Sequence, residues 1–194
     1  MKKNRNCNFL LTRVTNVAEG WRFIKTLNLE EILQNMNDYK EECKELELFS
    51  STNTICLSKS KIIKIHDKGI DTFGGIYGVR DEGLLDSVSK APYQSCFGSD
   101  LYPSVFDKAA KYLYDFSTYQ VFLDGNKRVG LGASTMLLMA NGYDLDMDYS
   151  EIYDLTMDIA NGKLSDVSDV SKILESRSVE LLNNKDVNTE REDV

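Results

Sequence analysis

The run Tyr119-Gln120-Val121-Phe122-Leu123-Asp124-Gly125-Asn126-Lys127-Arg128-Val129-Gly130-Leu131 is apolar on both flanks and polar where the chain must turn. Asp124-Gly125-Asn126 is a turn signal. A helical pattern ends ahead of it near Tyr119, and residues 129–140 are apolar with helical period, so the run reads as helix, tight loop, helix start. A helix start presents unpaired backbone N–H groups and the positive end of the helix dipole, which suits an anion. Lys127 and Arg128 stand in that first turn, where acids are favoured and cations oppose the dipole. A locally broken rule often marks a functional site. A bound phosphate would remove the conflict, and Asp124 is placed to hold a divalent cation on that phosphate, since magnesium takes one or two carboxylates plus phosphate oxygens. The competing reading is a capped interhelical loop with a solvated Lys-Arg pair.

Phe122-Leu123-Asp124-Gly125-Asn126-Lys127-Arg128 resembles the signature loop of the Doc toxins, the death-on-curing branch of the Fic superfamily, which normally reads His-x-Phe-x-Asp-x-Asn-Lys-Arg. Ile65-His66-Asp67, Phe73-Gly74-Gly75, Gly78-Val79-Arg80-Asp81 and Gly83-Leu84-Leu85 follow that family's first helix and glycine-rich loop. Asn141-Gly142-Tyr143, Asp154-Leu155-Thr156 and Ala160-Asn161-Gly162-Lys163-Leu164-Ser165 resemble its last two helices. The likeness spans residues 57–174. One departure stands out: the family's histidine, its general base, falls at Gln120.

The resemblance implies an all-α fold, a compact Fic/Doc-type helical bundle around a central apolar helix, with an N-terminal helical extension. It implies a toxin of a toxin-antitoxin system that transfers a phosphoryl group from ATP to a protein hydroxyl, with a translation elongation factor as the family's target and a cognate antitoxin as a partner. The implied cofactors are ATP and Mg2+. Carried over by position, Asp124 binds the metal, Asn126, Lys127 and Arg128 hold phosphates, Gly125 lets the backbone approach them, and Phe122 anchors the loop. Gln120 occupies the catalytic position, but an amide has no accessible pKa and cannot act as a base. Losing a positioned base costs roughly 10²- to 10⁴-fold. Phosphoryl transfer runs mainly on positioning and charge stabilisation, so a weakened activity is compatible with Gln120. The alternatives are a catalytically inactive nucleotide- or partner-binding pseudoenzyme of the same fold, a toxin disarmed by a His-to-Gln change, and an AMP transferase, which Lys127 disfavours.

The 194 residues are 42% hydrophobic and 28% charged, enough for one core of about 120 to 150 residues plus extensions. The net charge of −8 argues against direct nucleic-acid binding. Cys7, Cys43, Cys56 and Cys96 are widely spaced, with no CxxC pair, so reduced thiols are expected and a zinc site is not. No apolar run approaches about 18 residues, so no membrane span is expected and the protein reads as cytoplasmic.

The chain divides into an N-terminal helical extension over residues 1–56, the Doc-like domain over 57–176, and a polar tail over 177–194 expected to be disordered. In the extension, Asn28 with Glu31 forms a capping-box pattern ahead of a long amphipathic helix. Thr15-Asn16-Val17-Ala18-Glu19-Gly20 resembles the self-inhibitory motif of Fic enzymes. Its glutamate pairs there with a second arginine of the signature motif; that position is Leu131 here, and Arg128 is the available substitute. Downstream, Ser58 or Ser60, Asp81, Ser104, Ser150 and Ser165 are expected to open successive helices. His66 lies on an apolar face and reads as a core residue. Asp107, Lys111 and Asp115, spaced i,i+4, read as a solvated row. A small hairpin is expected at residues 75–79.

Overall fold

The computed structural model of the protein describes residues 54–181. The long helix expected from Asn28 and the motif at residues 15–20 lie outside the described residues, as does the chain beyond residue 181.

The helices form where caps and apolar stripes coincide. Helix α1 (Lys59–Phe73) opens on Ser58, whose side chain accepts from the Lys61 amide. Helix α2 (Glu82–Lys90) opens on Asp81 and runs into a 3-10 turn at Ala91–Tyr93, so Pro92 sits inside a continuing turn. Helix α3 (Val105–Thr118) opens on a full capping box of Ser104 and Asp107. Helix α4 (Asn126–Ala140) follows the signature loop and closes on Asn141. Helix α5 (Tyr149–Ala160) is capped by Asp148, not Ser150, because Asp148 has Glu151 three residues on and completes a capping box. Helix α6 (Val167–Ser176) is capped by Asp166, one residue past the expected Ser165.

The described chain is predominantly helical, as expected, but the all-α expectation needs correction. Strands β1 (Ser95–Cys96) and β2 (Ser99–Asp100) make a short hairpin, and β3 (Tyr143–Leu145) pairs antiparallel with β4 (Ser178–Glu180) in the register Asp144 opposite Val179. The second pairing takes in the first residues of the stretch read as the polar tail, and the Leu181 amide donates to Gly142 O at 2.8 Å. The hairpin expected at residues 75–79 is absent; Val79 instead bridges to Phe122.

Helix α4 is buried over most of its length, from Asn126 through Val129 to Leu138, as its composition predicts. It shares the centre with α3, which packs against α2, α4, α5, α6 and the 3-10 turn. The two central helices approach closely at Gly130, where an added Cβ would lie 3.0 Å from Phe116 Cβ and 3.2 Å from Leu113 O. A column of rings crosses the core. Tyr93 meets Tyr112 edge-on at 6.2 Å, Tyr112 stacks on Phe116 at 6.3 Å, Phe116 on Phe122 at 6.1 Å, and Phe122 on His66 at 4.2 Å. The buried hydroxyls in the column are satisfied: Tyr112 donates to Ser89 O at 2.9 Å, and Tyr93 accepts from the Leu57 amide at 3.1 Å. The column ends directly beneath the signature loop.

Candidate functional site

The signature loop is held at its base by backbone pairing and by one side chain. Tyr119 is extended, which stops α3. Val121 O then accepts from the Arg80 amide at 2.8 Å, and the Leu123 amide donates to Gly78 O at 3.0 Å, so the loop is stitched to residues 78–80. Phe122 is fully buried and stacks on His66 with ring planes 9° apart, confirming both as core residues. The Asn126 side chain clasps Phe122 from both sides: Oδ1 accepts its amide at 2.7 Å and Nδ2 donates to its carbonyl at 2.9 Å. The same Nδ2 makes a long contact of 3.4 Å to Gln120 Oε1. The Asn126 side chain is thus committed to the loop, and only its backbone N–H faces a phosphate role.

Gly125 adopts the left-handed conformation (φ 77°) and occupies the N-cap of α4, where no side chain caps the helix. Every other α-helix among the described residues has a Ser or Asp side chain at that place. Val129 is the first residue whose amide finds an intrahelical partner, Gly125 O at 3.0 Å. The amides of Asn126, Lys127 and Arg128 therefore find no partner among the described residues, a ready anion site. Lys127 is exposed and makes no ion pair or hydrogen bond among the described residues. Asp124 is half-exposed; its Oδ1 accepts the Gly125 amide at 2.6 Å. Its Oδ2 lies against the glycine-rich segment, where a Cβ built on Gly75 (φ 134°) would fall 2.5 Å away. Only glycine permits that approach.

These residues enclose one open cleft of about 280 Å³ lined by Gln120, Leu123, Asp124, Gly125, Asn126, Lys127 and Arg128. All of the sequence-predicted site residues fall on it, with Leu123 added. Gln120 is exposed at its edge. Asp124 is the only carboxylate among the lining residues. No cluster of three or more His, Cys, Asp or Glu that could hold a metal occurs among the described residues. A magnesium ion here would take one carboxylate and complete its shell from phosphate oxygens and water, and the open amides and Lys127 offer those phosphates a seat, so the residues fit the pair.

Arg128 departs from the sequence expectation. Its Nη1 donates to Gly74 O at 2.9 Å and to Gly69 O at 3.2 Å, at the C-terminal end of α1. Its guanidinium carbon stands 6.0 Å from the Phe73 ring centroid, and its Nη2 lies 3.7 Å from Asp124 Oδ1. The cation that sequence sets against the dipole of α4 serves the negative end of α1. Gly69, Phe73 and Gly74 are site-forming residues that sequence reading missed, apart from the hint of a glycine-rich loop.

The row Asp107, Lys111, Asp115 is not a fully solvated face: Asp107 and Lys111 are half-buried. Asp115 is buried and paired with Lys111 at 2.8 Å; burial pushes its carboxyl up, against the opposing pull of the lysine. Asp107 accepts from Ser171 Oγ at 2.6 Å and from the Ser104 amide at 3.0 Å. Burial pushes Asp107 up as well, but the hydrogen bonds from Ser171 and Ser104 outweigh it and leave the carboxyl below its ordinary range. Neither residue lines the cleft, so neither replaces the missing base. No helix among the described residues is long and apolar enough to cross a membrane.

The sequence was compared with known proteins. The model of the Fic/DOC family matches residues 56–138. The chain is 38% identical over 94 residues to the Toxin Doc of Mycolicibacterium smegmatis, a match covering 47% of this chain and 72% of that protein. It is 30% identical over 118 residues to the Protein kinase doc of Escherichia phage P1, covering 61% of this chain and 91% of that one.

Proposed function

The chain belongs to the Fic/Doc family, in its Doc branch, and from that premise we propose that it is a Doc-like toxin scaffold that binds magnesium ATP and transfers a phosphoryl group to a protein hydroxyl, at a rate held down by Gln120. The observation that carries this reading is the uncapped start of α4, where three amides and Lys127 find no partner among the described residues and share one cleft with Asp124. Magnesium ATP supplies the phosphoryl group when bound. Lys127 and the amides of residues 126–128 would hold its phosphates, and Asp124 would hold the metal. The Gln120 carboxamide can orient an acceptor hydroxyl but takes no proton from it, and the one carboxylate among the lining residues, Asp124, is given to the metal. The acceptor proton therefore leaves late, to a phosphate oxygen or to water. Positioning and charge stabilisation carry most of such a reaction, which leaves room for residual activity. The family suggests a translation elongation factor as target, a cognate antitoxin as partner and a cytoplasmic setting.

The amide at position 120 also favours a second reading, a pseudoenzyme that binds nucleotide or a partner without turnover. AMP transfer is a weaker third, disfavoured by Lys127. One experiment separates them. The chain and its Gln120→His variant are incubated with magnesium, γ-labelled ATP and a bacterial lysate. The account predicts label on a protein with the variant, and roughly 10²- to 10⁴-fold less with the parent. Label from neither, with ATP still bound, contradicts the transferase reading and leaves the pseudoenzyme; label from α-labelled ATP alone moves the assignment to AMP transfer.

A further inference from the structure

The last turn of α1 contains no basic residue, although its carbonyl end attracts a cation. The missing cation comes from far along the chain. Arg128 reaches back 59 residues to Gly69 O and 54 residues to Gly74 O, both through Nη1, which satisfies both protons of that nitrogen. The guanidinium also stands over the Phe73 ring and turns Nη2 toward Asp124. Gly75 lies between these groups, with a built Cβ 2.5 Å from Asp124 Oδ2 and 3.2 Å from Arg128 Nη2. One side chain therefore joins the end of α1, the glycine-rich segment and the signature loop. Lys127, its neighbour, has no partner among the described residues and stands beside the open amides.

We infer that the two adjacent cations divide the work: Lys127 is the anion ligand, and Arg128 is a positioning residue that fixes Asp124 and residues 74–80 from behind. To grip a phosphate with Nη1, Arg128 would have to release both carbonyls at the end of α1. Its flat fork spans two carbonyls and covers a ring, which the single ammonium of lysine does not do. Arg128→Lys keeps the charge and removes the strut, so it separates the roles. The inference concerns the loop itself, and rests on the nucleotide reading only where ATP is the probe.

The test compares the full chain with Arg128→Lys and Lys127→Ala, with Arg128→Gln as a second strut variant should the first unfold. Three quantities are read: amide exchange at Leu123 and Arg80, affinity for inorganic pyrophosphate without metal, and the gain in ATP affinity on adding magnesium. In Arg128→Lys, exchange at both amides rises roughly tenfold or more as the segment loosens. Its pyrophosphate affinity stays within about twofold, and its magnesium gain falls roughly tenfold because Asp124 is no longer held. In Lys127→Ala, protection is unchanged and pyrophosphate affinity falls roughly tenfold. Unchanged protection in Arg128→Lys, an unchanged magnesium gain, or a pyrophosphate loss equal to that of Lys127→Ala each overturns the inference. If the parent chain binds neither pyrophosphate nor ATP, the nucleotide reading has failed, and the exchange data alone decide whether Arg128 is the strut.

Discussion

Asn126 shows how one side chain can make a loop. It satisfies both backbone groups of the buried Phe122, so the apolar ring stays in the core while its neighbours reach the cleft. Asn126→Asp keeps the size but removes the donor and sets a carboxylate against the Phe122 carbonyl. We expect a loss of about 1–3 kcal/mol in chemical denaturation; a change within the error of the method would show that the clasp is dispensable. The residues lining the cleft were legible in the sequence because they are contiguous, and a signature loop brings its own members together. The partners of Arg128 were not, since they lie 54 and 59 residues away and are backbone oxygens, which leave no mark in sequence. The cation at the wrong end of a helix did signal something unusual. Lys127 keeps that place at the start of α4, whereas Arg128 serves the end of a different helix.

At the scale of elements, α4 is secured at both ends by an asparagine. Asn141 repeats at its C-terminus what Asn126 does at its start, accepting the Ile55 amide at 2.8 Å and donating to the Ile55 carbonyl at 3.0 Å. Between them, Gly130 sets the distance to α3. Gly130→Ala should cost about 1–3 kcal/mol through crowding, despite the better helix propensity of alanine; a stabilised variant in thermal unfolding would contradict the close contact. Helix α3 explains why a solvated row was misjudged. Periodicity finds the most apolar stripe, but α3 is packed on several sides, so its off-stripe Asp115 is buried and Asp107 and Lys111 are half-buried. Asp107 links α3 to α6 through Ser171. Its folded carboxyl ionises below the ordinary range, so its stabilisation is complete above the unfolded value and drains away as pH falls through the lowered one. Asp107→Asn should flatten that acid limb of the stability curve; an unaltered limb would place the acid sensitivity elsewhere. The cap at Asp148 was readable, because Glu151 three residues on completes the pattern; the choice of Ser150 overlooked that pairing.

Across the whole molecule, the strands were the part that sequence concealed. Each is two or three residues long, too short to show alternation, and β4 lies where the chain turns polar. The hairpin β1–β2 is tied to the core by a buried ion pair, Lys108 Nζ to Asp100 at 3.1 Å, with both side chains almost fully enclosed. Breaking such a pair from one side leaves a stranded charge. Lys108→Met should therefore cost about 3–5 kcal/mol, and adding Asp100→Asn should recover part of it. A double variant no more stable than the single would show that the pair is not coupled. The core thus presents the loop from two directions: the ring column lies beneath Phe122, and the end of α1 holds Arg128 from behind. What that arrangement leaves exposed is the start of α4. The most direct test is a titration of the isotopically labelled chain with magnesium ATP, followed at its backbone amides. The account predicts the largest shifts at Asn126, Lys127 and Arg128, diminished when Asp124 is replaced by Asn. Shifts centred elsewhere on the protein, or unaffected by Asp124→Asn, would contradict it.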